Sequence, residues 1–288
     1  MENISIWNDL SWILDIRSPA LSFFFETISL AGYPTFLILF ISFGYFFWSP
    51  LRFSRVAMLL FISGLINAFL KVYFQDPRPP SEFMLDPRVG NSFGWPSGHS
   101  QIAVTLWGLL AYELKKRWIS LSAGLLIVAI AFSRMYLGVH DLGDVISGLL
   151  IGLLILILWQ SAVTLKIYEQ LSKEIWILLI LTFQLTFFLF YPQLEGHEPS
   201  TWFLGVMLGW YLGISNINIK TGNPSNIFIC IISTIVVFLA MILITQLEEN
   251  LGTDSYSGYL ISYSLGIIFS LIVTWFIPRT WRLLKLAS

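Results

Sequence analysis

Three short runs of residues in this chain carry groups suited to an anion. The first is Lys71 with Arg78-Pro79, seven positions further on. The second, Pro96-Ser97-Gly98-His99, opens an apolar stretch. Ser97, Gly98 and His99 therefore stand at a predicted helix N-terminus, whose free N–H groups and positive dipole end favour a negative ligand. The third is Ser133-Arg134, followed by His140 and Asp144. His140 and Asp144 are i and i+4, which puts them on one face of a helix that starts near His140. Together these runs supply three cations, two imidazoles, a carboxylate and a helix terminus, the set a phosphate dianion needs. Lys71, Arg78 and Arg134 can neutralise its oxygens, the arginines in bidentate fashion. One imidazole can attack phosphorus while the other protonates the leaving oxygen. A unit-charge pair at about 4 Å is worth roughly 4 kcal/mol at an effective dielectric of 20. Three such cations stabilise a phosphoryl-transfer transition state without a metal or other cofactor. Only His140 has a carboxylate one turn away, so the residues themselves favour it as the nucleophile. Asp141, at i+1, points to a different face and reads as a helix cap.

The elements that must position these groups are membrane helices. Hydrophobic residues make up 56% of the 288 and charged residues 11%, against about 25% charged in a soluble chain, and the mean hydropathy is +0.76. That excludes a water-soluble enzyme and a disordered chain, and a net charge of −1 excludes a nucleic-acid binder. Cys230 is a lone cysteine with no internal disulfide to form. Glu2, Asp9 and Asp15 replace the basic region of a cleavable signal peptide. Apolar runs long enough to cross a bilayer fall near 28–47, 56–74, 100–115, 118–136, 145–165, 175–191, 201–216, 227–244 and 259–277, so the expected architecture is an all-α polytopic bundle of about nine transmembrane helices. Residues 1–20, with Ile4, Ile6, Trp7, Leu10, Trp12, Ile13 and Leu14, read as an interfacial amphipathic segment.

If the spans alternate, Arg52, Arg55, Lys115, Lys116, Arg117, Lys166, Lys173, Lys220, Arg279, Arg282 and Lys285 share one side. Arg17, Lys71, Arg78, Arg88 and Arg134 fall on the other. The positive-inside rule makes the first side cytoplasmic. Lys71, Arg78 and Arg134 then lie at or near span ends on the outer side, where ionisable groups are costly unless paired or functional.

The three runs resemble the signature motifs of the type 2 phosphatidic acid phosphatase (lipid phosphate phosphatase) superfamily. That pattern is Lys, six residues, Arg-Pro; Pro-Ser-Gly-His; and Ser-Arg, five residues, His, three residues, Asp. Every defined position is matched, and the resemblance covers roughly residues 20–165. It implies a phosphatase core of five or six helices over 21–165, with His140 forming a phosphohistidine and Asp144 orienting it. It also implies His99 as general acid and later activator of water, and Lys71, Arg78, Ser97, Gly98 and Arg134 as phosphate ligands, with Ser133 positioning Arg134. No metal and no cofactor are implied.

Other polar residues have plainer readings. Asn67 reads as an interhelical hydrogen bond; Glu82, Asp86 and Arg88 as solvated loop residues; Glu26 as interfacial; and His197 with Glu195 and Glu198 as a solvated group. The spans over 166–288 carry no motif. Their extra C-terminal helices resemble those of sphingosine-1-phosphate phosphatases, and a lipid-access route or a homodimer face are roles open to them. The expected protein is a phosphatase in a bacterial inner membrane, with its site facing the periplasm or exterior. Undecaprenyl diphosphate, phosphatidate and phosphatidylglycerophosphate are the leading substrates, ahead of a sphingoid-base phosphate. A lipid phosphotransferase using the same site and a non-catalytic lipid-binding carrier are the alternatives.

Overall fold

The computed structural model describes residues 9–165, 170–192, 201–215, 226–251 and 256–284. Ile4, Ile6, Trp7, Lys166, Glu195, His197, Glu198, Lys220, Asp254 and Lys285 lie outside the described residues. The described chain is all-α. Helices α1 (Ser11–Ile16) and α2 (Pro19–Ser29) lead through a 3₁₀ turn into α3 (Pro34–Phe47), and α4 (Pro50–Phe74) precedes a long loop. Next come α5 (Gly98–Ala103), a π turn over Val104–Gly108 and α6 (Leu109–Leu114). Then follow α7 (Arg117–Tyr136) and α8 (Leu142–Thr164). The C-terminal helices are Lys173–Phe190, Thr201–Ser215, Ile227–Leu251 and Tyr256–Leu271, the last continuing through a π turn to Leu283.

This is a multi-pass membrane bundle. Among the described residues six helices are long and apolar enough to cross a bilayer. A seventh is reached if α2 and α3, bent by 58°, count as one. The described part of one further apolar helix, Thr201–Ser215, covers 15 residues, and the run from Gly98 to Leu114 is interrupted by its π turn.

The described part of the N-terminal segment holds α1 and the start of α2. The chain breaks at Arg17–Ser18 because Pro19 forces an extended residue before it, and Ser18 caps α2 through its hydroxyl. Leu10 and Ile13 are buried against Ala131, Met135, Tyr136, Leu137 and Val139. Arg17 donates to the carbonyls of Tyr136 (3.1 Å) and Phe83. The segment is thus packed on α7, with Trp12, Leu14 and Ile16 left exposed.

By packing, the chain forms two compact units. One holds the chain up to Phe36 and the stretch from Ile62 through α8. The other holds Leu37–Phe61 and the C-terminal helices. In the second unit Tyr45 donates to the Thr274 carbonyl at 3.3 Å, Phe46 packs edge-on against Trp281, and the Cys230 thiol reaches the Phe46 carbonyl. Gly205, Gly209 and Gly213, four residues apart, admit the helix carrying Tyr263, Ser270 and Thr274, the close approach that small residues allow in membranes.

In the first unit α5 sits close on α8, because Gly148 and Gly152 leave room for the carbonyls of Ser97 and Gln101. Asn67 donates to the Pro96 carbonyl (3.1 Å) and to Gln101 Oε1 (3.0 Å), and Gln101 donates in turn to Ser63. This buried chain of amides ties α4 to α5, as read for Asn67. Helix α7 ends in a left-handed glycine, Gly138 at φ +68°. Gly138 N–H reaches the Met135 carbonyl (2.8 Å) and Val139 N–H the Arg134 carbonyl (3.1 Å), the Schellman pattern. A Cβ at this position would overlap the Phe83 carbonyl. Gly138→Ala is expected to destabilise the protein by about 1–3 kcal/mol, read as a lowered unfolding temperature in detergent, with activity falling because His140 lies two residues on.

Candidate active site

Loops at one end of the first unit bring the three motifs together. Ser97 N–H donates to the Asp144 carbonyl at 3.0 Å, joining the starts of α5 and α8. Leu85 N–H donates to the Leu137 carbonyl at 2.8 Å, pinning the 75–97 loop to the α7–α8 connection. Asp141 caps α8 by accepting from Asp144 N–H (2.9 Å), which sets the helical turn that carries Asp144 over His140.

His140 is 2% exposed. Its Nδ1 lies 2.8 Å from Asp144 Oδ2, and its Nε2 lies 3.2 Å from Arg78 Nη1. A guanidinium can only donate, so Nε2 accepts and Nδ1 carries the proton, which it gives to Asp144. That tautomer leaves a lone pair on Nε2. Burial pushes His140 well below the ordinary histidine value, and the positive charges of Lys71, Arg78 and Arg134 add to the shift. The imidazole is therefore neutral at pH 7. The carboxylate's contribution here is orientation and tautomer, while the surroundings oppose protonation.

Each cation is gripped differently. Lys71 donates to the carbonyls of Phe93 and Gly94, the latter at 2.7 Å. Arg78 spends Nε and Nη2 on the carbonyl and hydroxyl of Ser92 (2.6 and 2.7 Å) and Nη1 on the Val139 carbonyl (2.6 Å) as well as on His140. Arg134 is fully buried. Its Nη1 donates to Ser29 Oγ and to Asp86 Oδ2 (3.0 Å), while Nε and Nη2 are buried without a partner among the described residues. His99 packs under the edge of the Tyr33 ring, with centroids 4.5 Å apart. It also lies against Gly32, where a Cβ would collide with the imidazole. Its Nε2 is likewise buried and unpartnered among the described residues.

Two sequence readings, those of Ser133 and Asp86, differ from these positions. Ser97 is wholly buried, and its hydroxyl caps its own helix, accepting from Ser100 N–H and Ser100 Oγ. Gly98, next along, is backed by Asn67. Ser133 donates to the Ile130 carbonyl at 2.6 Å, so the contacts that hold Arg134 come from Ser29 and Asp86. Asp86 is 0% exposed and accepts from Arg134, Tyr33, Arg88 Nε (2.7 Å) and Arg88 N–H. It reads as a loop residue because Pro87 and Arg88 flank it and no periodicity marks a buried loop position. Ser29, Tyr33 and Ser92 carry no sequence signal either. Glu82 and Glu26 are exposed.

The PAP2 superfamily profile matches residues 53–168. Phosphatidylglycerophosphatase B of Bacillus subtilis is 32% identical over 156 residues, which cover 50% of this chain and 75% of the relative. The chain belongs to the PAP2 superfamily. A lipid A 4'-phosphatase of Bacteroides thetaiotaomicron is 30% identical over 126 residues, covering 40% of this chain and 56% of that protein. The crystal structure of a transmembrane PAP2-type phosphatidylglycerolphosphate phosphatase from Bacillus subtilis aligns at a TM-score of 0.49 with 28% identity, over 57% of this chain and 84% of that one.

Asp86 also sets an acid dependence. Burial alone would raise its carboxyl, but hydrogen bonds from Arg88 and Tyr33 and the charge of Arg134 outweigh that and hold it at about 2. A depressed carboxylate adds stability that is complete above its unfolded value of about 4 and fades as pH falls towards 2. Asp86→Asn should therefore unfold at lower temperature than wild type at pH 5, with the gap narrowing by pH 2.5. Thermal unfolding in detergent at both pH values measures this, and an equal gap at both would contradict the pairing.

Proposed function

We propose that this PAP2 protein hydrolyses a lipid phosphate or lipid diphosphate through a phosphohistidine on His140, without a metal, at the extracytoplasmic face of a bacterial inner membrane. The observation that carries this reading is the His140 pair of contacts, Nδ1 to Asp144 and Nε2 to Arg78. They leave a neutral imidazole whose lone pair lies beside a phosphate-binding cation. The Nε2 lone pair attacks phosphorus and forms the N–P bond. The bond from phosphorus to the lipid oxygen breaks, and His99 Nε2–H supplies the proton that oxygen takes up. Water then attacks the phosphohistidine and gives its proton to His99. The N–P bond breaks, inorganic phosphate leaves, and both imidazoles return to their starting forms.

Lys71, Arg78 and Arg134 stabilise the charge spread over the equatorial oxygens, and Gly98 lets the backbone approach the anion at the start of α5. The orientation follows from the loop charges, which favour the Lys- and Arg-rich side as cytoplasmic. A bilayer-embedded site suits a substrate whose tail stays in lipid. Phosphatidylglycerophosphate is the first candidate because one relative carries that activity in its name, with phosphatidate and undecaprenyl diphosphate next.

The test is phosphate release from these lipids by protein purified in detergent. Activity should persist in EDTA and be inhibited by vanadate, and acid quenching should trap a ³²P-labelled protein. His140→Ala should abolish the label and lower turnover by about 10³-fold or more, and Asp144→Asn by about 10²–10⁴-fold through the wrong tautomer. Loss of activity in EDTA with recovery in magnesium, or turnover surviving in His140→Ala, would overturn the mechanism.

A further inference from the structure

We propose that Asp86 and Tyr33, which lie outside all three motifs, are positioning residues that fix Arg134 and His99 as one unit ahead of the anion. This deepens the reading above and rests on it. The argument starts from how Arg134 is held. A guanidinium has five N–H groups. Those of Nη1 go to Ser29 and Asp86. Nε–H and the Nη2–H parallel to it form a side-on fork, the geometry that takes two oxygens of a phosphate. That fork is buried and unpartnered among the described residues, a costly arrangement unless a ligand completes it. Anchoring by Nη1 thus leaves a bidentate edge of Arg134 unspent.

The anchor is itself immobilised. Asp86 Oδ1 is held by Arg88 Nε at 2.7 Å and by Arg88 N–H at 3.3 Å, and Oδ2 receives the Tyr33 hydroxyl beside Arg134. Arg88 lies over the Tyr33 ring at 4.6 Å, and Arg134 lies 5.7 Å from the same centroid. The ring is also the edge-on partner of His99 at 4.5 Å and 79°. Tyr33 therefore touches the carboxylate that fixes Arg134, Arg134 itself, and the imidazole with the unpartnered Nε2. It is presented by the turn between α2 and α3, where Gly32 gives the His99 ring its space. The bend between those helices brings the general acid and the phosphate clamp under one side chain.

The test uses the full chain in detergent with vanadate as the transition-state probe. An inhibition constant is a property of the surviving folded molecules, so partial misfolding does not move it. Asp86→Asn keeps the size and an acceptor oxygen but removes the charge. It should weaken vanadate inhibition and lower kcat/KM together, each by about 10–100-fold, with Asp86→Glu recovering part of both. Tyr33→Phe, which keeps the ring and loses the anchor to Asp86, should lower both by about 3–10-fold. Tyr33→Ala also frees His99, so its loss should be greater on an alkyl phosphate, whose leaving oxygen needs a proton, than on p-nitrophenyl phosphate, which does not. Vanadate inhibition within about twofold of wild type in both Asp86→Asn and Tyr33→Phe would overturn the inference. If that happens while His140→Ala is inactive, only the inference fails. If His140→Ala stays active, the underlying reading fails with it.

Discussion

Like charges in a buried space repel, and the motif end of the bundle is organised around that repulsion. Lys71, Arg78 and Arg134 reinforce one another's cost, and among the described residues Asp86 pairs directly with Arg134 while Asp144 reaches the group through His140. Most of the compensation is dipolar. Carbonyls of Ser92, Phe93 and Gly94 from the 75–97 loop and of Val139 beyond α7 point at the cations. Partial charges fixed in the backbone cost no reorganisation when a substrate arrives. They also leave net positive charge for a dianion, which full pairing with carboxylates would have cancelled. The loop thus serves the electrostatics of the site directly, and its pinning to Leu137 keeps those carbonyls aimed.

Part of this was legible in the chain. His140 and Asp144 meet as their i,i+4 spacing suggests, although His140 stands just before the Asp141 cap and only Asp144 is on the first turn of α8, because a helix start is a local device with a local signature. Asn67 likewise makes the interhelical bond read for it. Asp86 was not legible, because its burial depends on three partners from α2–α3, α7 and its own loop, and no period in the sequence records such a meeting. Ser133 follows the same logic in reverse. The family resemblance implies that it supports Arg134, yet in a helix consecutive residues point apart and its hydroxyl goes to its own backbone.

The limits of hydropathy explain the remaining differences. Apolar helices look alike in sequence, so nothing in composition shows that Leu37–Phe61 packs with the C-terminal helices and not with the helices next to it in the chain. The partners are chosen by contacts of shape, such as Tyr45 and Phe46 against Thr274 and Trp281. The count of spans suffers in the same way. A run that carries a π turn, as Gly98–Leu114 does, still reads as apolar, and its geometry decides how far it reaches.

The contact between Arg78 and the imidazole has a consequence for the resting protein. A guanidinium hydrogen cannot share the ring nitrogen's lone pair with a proton, so acid can reach that nitrogen only by evicting the arginine. Arg78 thereby sheathes the Nε2 lone pair of His140, and the bare nitrogen is reached only where that side chain swings aside.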